Sequence, residues 1–366
     1  MSKKYHTIGI NREYNYHPAF HGEIFKILKE KFILRDFPLV NFSEYLIRSQ
    51  KGSWFSKQVF SFGKFKGKAD FWFSPHILLL NKSDWVIDLE HPFWLFTDHY
   101  ANVDLDSISF KLRIWVAKKW LECDNCKSII AWSRASQKAV VNFLGEKIAE
   151  KVSIIYPMVS PPAEVDKRSK YRVSLLFIMP NKDFEQERKG KDVVLNIFRK
   201  LRNNLKVKLI FVGYLTNSEK MEFGYQIEHY PHVDREILLS EIYPRSDILL
   251  FPSRADTFGA VIIEAQSRGV VPIASCGKSV FSTPELIKNG ENGFLIRNID
   301  TGANELDFGE INKGEFLKLV NLLVENNDLR TKLSFRCKER FLKSNHNPYN
   351  QKKKLISLFL NFMTIR

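Results

Sequence analysis

Four cysteines in 366 residues are too few to staple a secreted scaffold, and the one close pair, Cys123 and Cys126, lacks a second pair or histidines at zinc spacing. No apolar segment follows residues 1–4 as a secretory leader would. The longest apolar run near the other end, 355–362, is too short to cross a bilayer. No G-x-G-x-x-G follows a strand-like run, which disfavours a nicotinamide dehydrogenase. Asp104 and Asp106 form the one Asp-x-Asp spacing, and their surroundings read as a solvated loop. Internal repeats, helix-turn-helix patterns and zinc fingers are also missing. These absences lead to the expectation of a cytoplasmic, reduced protein with no bound metal or cofactor.

What is abundant is positive charge. A net charge of +15 favours an anionic partner, such as acidic lipid headgroups, an acidic polymer or a phosphorylated carrier, with nucleic acid the weakest choice. Residues 54–73 interleave Phe55, Phe60, Phe62, Phe65, Phe71, Trp72 and Phe73 with Lys57, Lys64, Lys66 and Lys68. Basic and aromatic side chains together suit a lipid interface, and Lys352, Lys353 and Lys354 ahead of the final apolar run offer a second anchor. A peripheral position on the inner membrane face is therefore an expectation, set against ordinary core aromatics beside solvated lysines.

The most informative stretch is 247–295. An apolar run over 247–251 reads as a buried parallel strand that Pro252 ends, and a helix is expected from about Phe258 to Gly269. A strand, a tight turn and a helix aim the first helical amides at whatever lies above the strand end, which favours a phosphate or sugar oxygen. Gly259 allows a ligand close to the backbone. Asp256 precedes the helix and Glu264 lies inside it, roughly 10 Å apart along the backbone at 1.5 Å per residue. That gap suits a hexose hydroxyl at one end and a ribose diol at the other, with a diphosphate between. Acidic groups would repel the phosphates, so cations must come from elsewhere. The stretch 175–212 supplies them: a strand over 175–178, then a polar loop bearing Lys182, Arg188, Lys189 and Lys191. An amphipathic helix with Val193, Val194, Ile197, Phe198 and Leu201 comes next, then a strand over 209–212.

At these residues the chain resembles glycosyltransferase family 4, retaining nucleotide-sugar transferases of the GT-B fold. The family pattern E-x-F-G-x-x-x-x-E-A, then G-x-P-V, P-E and N-G, is matched by Asp256, Phe258, Gly259, Glu264 and Ala265, then Gly269, Val271, Pro272, Pro284, Glu285, Asn292 and Gly293. Lys189 and Gly190 match the family's K-G, while Asp256 stands in for the first glutamate and Lys182 for the usual arginine. The resemblance implies that Glu264 binds the nucleotide ribose. It implies that Asp256, with Thr257 and the backbone of Phe258, Gly259, Ala260 and Val261, holds the donor, and that Lys189 and Lys182 neutralise the leaving diphosphate without a metal. The donor is then a UDP- or GDP-sugar.

The first half agrees with this architecture. A strand is expected over 5–10, with Gly22 opening a helix that carries Ile24, Phe25, Ile27 and Leu28, as the first glycine turn of the family's acceptor domain does. The strand 85–89 ends at Glu90, His91 and Pro92, and His91 is similar in placement to the family histidine that contacts the transferred sugar or assists the acceptor proton. Strands over 128–132 and 152–157 flank a helix to Leu144. Pro157, Pro161 and Pro162, followed by the charged run 164–170, read as a linker.

The expected fold is thus α/β, a GT-B arrangement of two Rossmann-like domains facing across a cleft. Residues 1–160 form the acceptor side, 171–346 bind the donor, and 347–366 cross back onto the first domain. The expected function is retaining transfer of a hexose from a nucleotide diphosphate sugar to a hydroxyl of a glycan, lipid or small acceptor. Two other classes stay open: a nucleotide-sugar or sugar-phosphate binding protein without turnover, and a two-domain phosphorylase carrying pyridoxal phosphate on a lysine. The acceptor, donor base and oligomeric state are not legible.

Overall fold

The computed structural model describes residues 6–13, 16–42, 61–96, 108–162, 172–182, 185–299 and 309–364. Outside this range lie residues 54–60 of the basic aromatic stretch, the Asp104 and Asp106 pair, and the charged run 164–170. The chain packs as two units, one from the first residues to Met158 and again from Pro348, the other Val159–Asn347.

Unit 1 contains β1 (Thr7–Ile10), β2 (Ile33–Asp36), β3 (Leu39–Asn41), β4 (Phe62–Phe65), β5 (Phe71–Pro75), β6 (Leu78–Leu79), β7 (Trp85–Leu89), β8 (Cys126–Ala131) and β9 (Val152–Ile154). Six of these form a parallel sheet in the order β2-β1-β5-β7-β8-β9, while β3, β4 and β6 make a small separate sheet. Both β5 and β7 are buried along their whole length, as the central strands of a parallel sheet covered on two faces must be. The helices are α1 (Glu23–Leu28), α2 (Ile108–Glu122) and α3 (Arg134–Leu144).

The structure corrects one expectation for this unit and, for the described part of the basic aromatic stretch, bears out the core alternative. Helical structure before α1 starts at Pro18, and Gly22 lies inside it with right-handed φ −59° and ψ −46°. Proline opens the turn because its missing N–H is one of the unpaired donors of a first helical turn. The described part of the basic aromatic stretch is core: Phe65, Phe71, Trp72 and Phe73 are each 1% exposed, and Phe65 stacks on Trp72 at 4.6 Å. Alternation with lysine there is strand periodicity, with the charges on turns and outer faces.

Unit 2 holds α4 (Gln186–Lys189), α5 (Lys191–Leu201), α6 (Asn217–Phe223), α7 (Arg235–Ile237), α8 (Ala260–Ser267), α9 (Thr283–Leu286), α10 (Lys313–Glu325) and α11 (Asn327–Lys343). Its strands are β10 (Val173–Ile178), β11 (Val207–Val212), β12 (Ile227–Tyr230), β13 (Ile248–Phe251), β14 (Val271–Cys276) and β15 (Phe294–Arg297), all parallel in the order β12-β11-β10-β13-β14-β15. This is the doubly wound order, in which the direction of winding reverses between β10 and β13. Ligands of such sheets bind where the connections diverge, at the carboxyl ends of those two strands. The amphipathic helix is α5, whose Val193, Val194, Ile197, Phe198 and Leu201 are buried against the sheet, each contributing roughly 1.5–3 kcal/mol as an upper estimate.

The last helix, α12 (Pro348–Thr364), belongs to unit 1. Phe359 is fully buried, with its ring 6.3 Å from Phe32, 5.8 Å from Phe71 and 6.2 Å from Phe73. Gln351 exchanges hydrogen bonds with the Tyr156 backbone at 3.0 and 2.9 Å, and Lys354 Nζ donates to the Ile154 carbonyl at 2.9 Å. The apolar run read as part of a second anchor is therefore a packing element of this unit, while Lys353 and Lys354 stay exposed.

Candidate active site

The site of unit 2 grows from the ends of β10 and β13. After β13, Pro252 and Ser253 end the ladder and residues 252–259 lead to Gly259, whose φ of +83° turns the chain into α8. The helix starts at Ala260, two residues later than its apolar spacing suggests. Gly259, at the N-cap, has no side chain to cap the first turn, which leaves the amides at the start of α8 without a side-chain cap from that position.

Asp256 lies in this loop, its amide donating to the Ser279 carbonyl at 2.8 Å. Its carboxylate pairs with Lys189 Nζ, the two side chains being 12% and 16% exposed. Burial alone would raise the Asp256 pKa. The charges of Lys189 and Arg188, with hydrogen bonds from Lys189 and the Phe258 amide, outweigh it and hold the carboxyl below its usual range.

Lys189 reaches Asp256 because a glycine stands next to it. Arg188 and Lys189 sit at the end of α4 instead of in an open loop, and Gly190 adopts φ +73° before α5 begins. A Cβ on Gly190 would stand 1.9 Å from the Pro252 carbonyl oxygen, so only glycine lets this junction press against the end of β13. Polar contacts fasten the approach. Arg188 Nη1 donates to the Ala255 carbonyl at 2.8 Å, the Arg254 amide donates to the Arg188 carbonyl at 2.8 Å, and Arg254 Nη1 donates to Asp192 Oδ1 at 2.8 Å.

The other two predicted cations differ in setting. Lys191 is 2% exposed and spends its charge internally, donating to Glu219 at 2.7 Å and Gln186 at 2.6 Å. Its expected place in a phosphate-facing loop is corrected: the α5 helix turns it toward α6. Lys182 is exposed on the turn after β10, its amide donating to the Pro180 carbonyl at 2.8 Å.

Glu264 occupies the second turn of α8 and is 6% exposed. Two residues that the sequence reading missed hold it. Arg235 Nε on α7 donates to Oε1 at 2.7 Å, and the Tyr243 hydroxyl donates to Oε2 at 2.9 Å. Burial and the adjacent carboxylate push the Tyr243 phenol well above its usual pKa, so it stays a donor. Thr257 and Phe258 are buried within the same loop. Asn292 and Gly293 are structural: Asn292 Oδ1 accepts from the Lys288 amide at 2.7 Å and its Nδ2 donates to the Leu286 carbonyl at 3.1 Å.

In unit 1, His91 follows β7 and its Nδ1 accepts from the Phe93 amide at 3.2 Å, capping a short turn over Pro92–Leu95. Burial lowers its pKa to about 4, so the ring is neutral at physiological pH. A second titratable group went unread. Asp88, fully buried in β7, faces Trp132 Nε1 at 3.0 Å, His21 Nε2 at 3.3 Å and His76 Nδ1 at 3.5 Å. The other ring nitrogens accept backbone amides, His21 Nδ1 from His17 at 2.8 Å and His76 Nε2 from Glu90 at 3.4 Å. Both imidazoles therefore turn N–H groups to the carboxylate. Burial would raise the Asp88 pKa, but His76, His21 and Trp132 together keep it low. The signal was a lone aspartate inside the apolar run 85–89.

Residues 177–340 match the family model for glycosyl transferases group 1. An uncharacterized 41.2 kDa protein in the cps region of Klebsiella pneumoniae is 27% identical over 214 residues, 55% of this chain and 56% of that one. N-acetyl-alpha-D-glucosaminyl L-malate synthase of Bacillus anthracis is 30% identical over 128 residues, 32% of this chain and 31% of that one. The chain thus spans about half the length, or less, of the curated relatives it matches. Among solved structures, Anabaena HepE in complex with UDP and glucose aligns over 98% of this chain and 100% of that one, with a TM-score of 0.62 at 14% identity. This chain has the GT-B fold, and residues 177–340 of its second unit match the group 1 glycosyl transferase model.

Proposed function

We propose that this protein is a glycosyltransferase that moves a hexose, with retention, from a UDP- or GDP-sugar to a hydroxyl of a glycan, lipid or small acceptor. The observation that carries the proposal is the Lys189–Asp256 pair at the divergence of β10 and β13, beside the open first turn of α8. A diphosphate lying over that turn meets backbone amides and the remaining Lys189 N–H groups, which stabilise charge developing on the leaving nucleotide. Asp256 takes donor sugar hydroxyls and Glu264 the ribose diol. The departing phosphate oxygen accepts the acceptor proton on the face it leaves, which preserves anomeric configuration. His91, neutral and at the end of β7, is the proposed contact to the transferred sugar. The UDP and glucose held by the HepE structure, and the N-acetylglucosaminyl group in the name of the Bacillus anthracis relative, support this class of donor.

The test is release of nucleoside diphosphate from a panel of nucleotide sugars, with and without hydroxyl acceptors. Lys189→Ala and Glu264→Ala should each lower release by about 10²–10³-fold. Near-normal turnover in either variant refutes the assignment, and saturable binding with no release in the wild type favours a binding protein.

A further inference from the structure

We infer that Arg235 is a positioning residue that, with Tyr243, orients the Glu264 carboxylate to read a ribose diol, and so sets a preference for ribonucleoside over 2'-deoxyribonucleoside diphosphates. The inference rests on the reading of Glu264 as the ribose-binding group.

A glutamate side chain on a helix has three rotatable bonds and no fixed direction of its own. Here two donors from different elements pin it: Arg235 Nε at 2.7 Å on Oε1 and Tyr243 Oη at 2.9 Å on Oε2. Tyr243 approaches from inside the unit and is fully buried; Arg235 approaches from the start of α7, with 23% of its side chain exposed. Each carboxylate oxygen offers two lone pairs, so one acceptor position per oxygen remains for a ligand. Two acceptors side by side, fixed in orientation, match two neighbouring hydroxyls.

The guanidinium has an electrostatic consequence as well. A bare carboxylate close to a diphosphate repels it, whereas the Arg235–Glu264 pair is neutral overall. Discrimination follows from geometry: a site built to accept from a hydroxyl disfavours the analogue that lacks it, because a buried polar group then goes unmatched.

The experiment is isothermal titration of UDP, GDP and their 2'-deoxy counterparts into the wild type, Glu264→Gln, Arg235→Gln, Arg235→Lys and Tyr243→Phe, with melting curves confirming that each is folded. For whichever base binds, the wild type should prefer the ribonucleotide by about tenfold or more. Glu264→Gln and Arg235→Gln should both bring that ratio to within about twofold, mainly by weakening the ribonucleotide, and Arg235→Lys should restore part of it. Tyr243→Phe should move the ratio in the same direction by a smaller factor. If Arg235→Gln and Tyr243→Phe keep the wild-type ratio while Glu264→Gln loses it, the positioning role is refuted and the ribose reading stands. If Arg235→Gln weakens both nucleotides equally, the guanidinium acts on the phosphates and the inference is again overturned. A wild type that binds no nucleoside diphosphate refutes the underlying reading of the site.

Discussion

Gly190→Ala tests the contact that lets Lys189 reach Asp256. At φ +73° the left-handed conformation costs an L side chain about 1–2 kcal/mol. The added Cβ would also lie 1.9 Å from the Pro252 carbonyl oxygen, a backbone atom that cannot rotate away. Relief requires a movement on the order of 1 Å between the α4–α5 junction and the end of β13, and overpacking of this kind costs about 1–3 kcal/mol. A total of about 3 kcal/mol should lower the melting temperature of a unit this size by roughly 6–12 °C. Gly290→Ala is the control, because φ there is +77° and its Cβ would meet nothing within 4 Å. That variant carries only the conformational cost, about 1 kcal/mol and roughly 2–4 °C. Calorimetry of the two proteins, with nucleotide titration at a temperature where both are folded, separates the terms. Equal melting shifts would refute the steric argument, and unchanged affinity in Gly190→Ala would refute its link to the site.

Lys191→Met should lower the melting temperature by several degrees, since Glu219 and Gln186 lose their shared donor, yet leave nucleotide affinity within about twofold; a large loss of affinity would return Lys191 to the phosphate site. His91 should make the fold acid-sensitive. Its folded pKa of about 4 lies below the ordinary histidine value of 6.5, so the unfolded chain binds the extra proton between those values. Stability is then full above pH 6.5 and falls as pH drops toward 4, by about 3 kcal/mol in all, and His91→Gln should flatten that part of the denaturation profile. Phe359→Ala should cost about 3–5 kcal/mol in unit 1, read as an earlier transition in a melting curve, while nucleotide binding by unit 2 persists.

Runs with one dominant period were the legible part of this fold. The apolar runs 247–251, 209–212 and 85–89 read directly as buried strands, found at Ile248–Phe251, Val207–Val212 and Trp85–Leu89, and the apolar spacing of 193–201 read as the helix it is. Phe71–Pro75 stayed open between a core strand and an interfacial one because its aromatic side chains fall close to lysines, and composition without pairing partners does not separate the two. The short strands β2 and β12 mix polar residues with partly exposed apolar ones and give little apolar signal. At the site, Asp256, Glu264 and Lys189 were marked by a local pattern of residues. Arg235 and Tyr243 were not, since they meet Glu264 from 29 and 21 positions away and nothing nearby in sequence announces that encounter.

The return of Pro348–Thr364 to unit 1 puts a delay into biosynthesis. At about 5–20 residues per second, the ribosome needs roughly 10–40 s to pass from Met158 to Pro348. Throughout that interval the nascent first half lacks the helix that covers Phe32, Phe71 and Phe73, and by its end everything required by the second half has been synthesised. The later-translated half is thus the first able to mature, and the earlier one waits with a sticky aromatic flank of the sort that chaperones grasp.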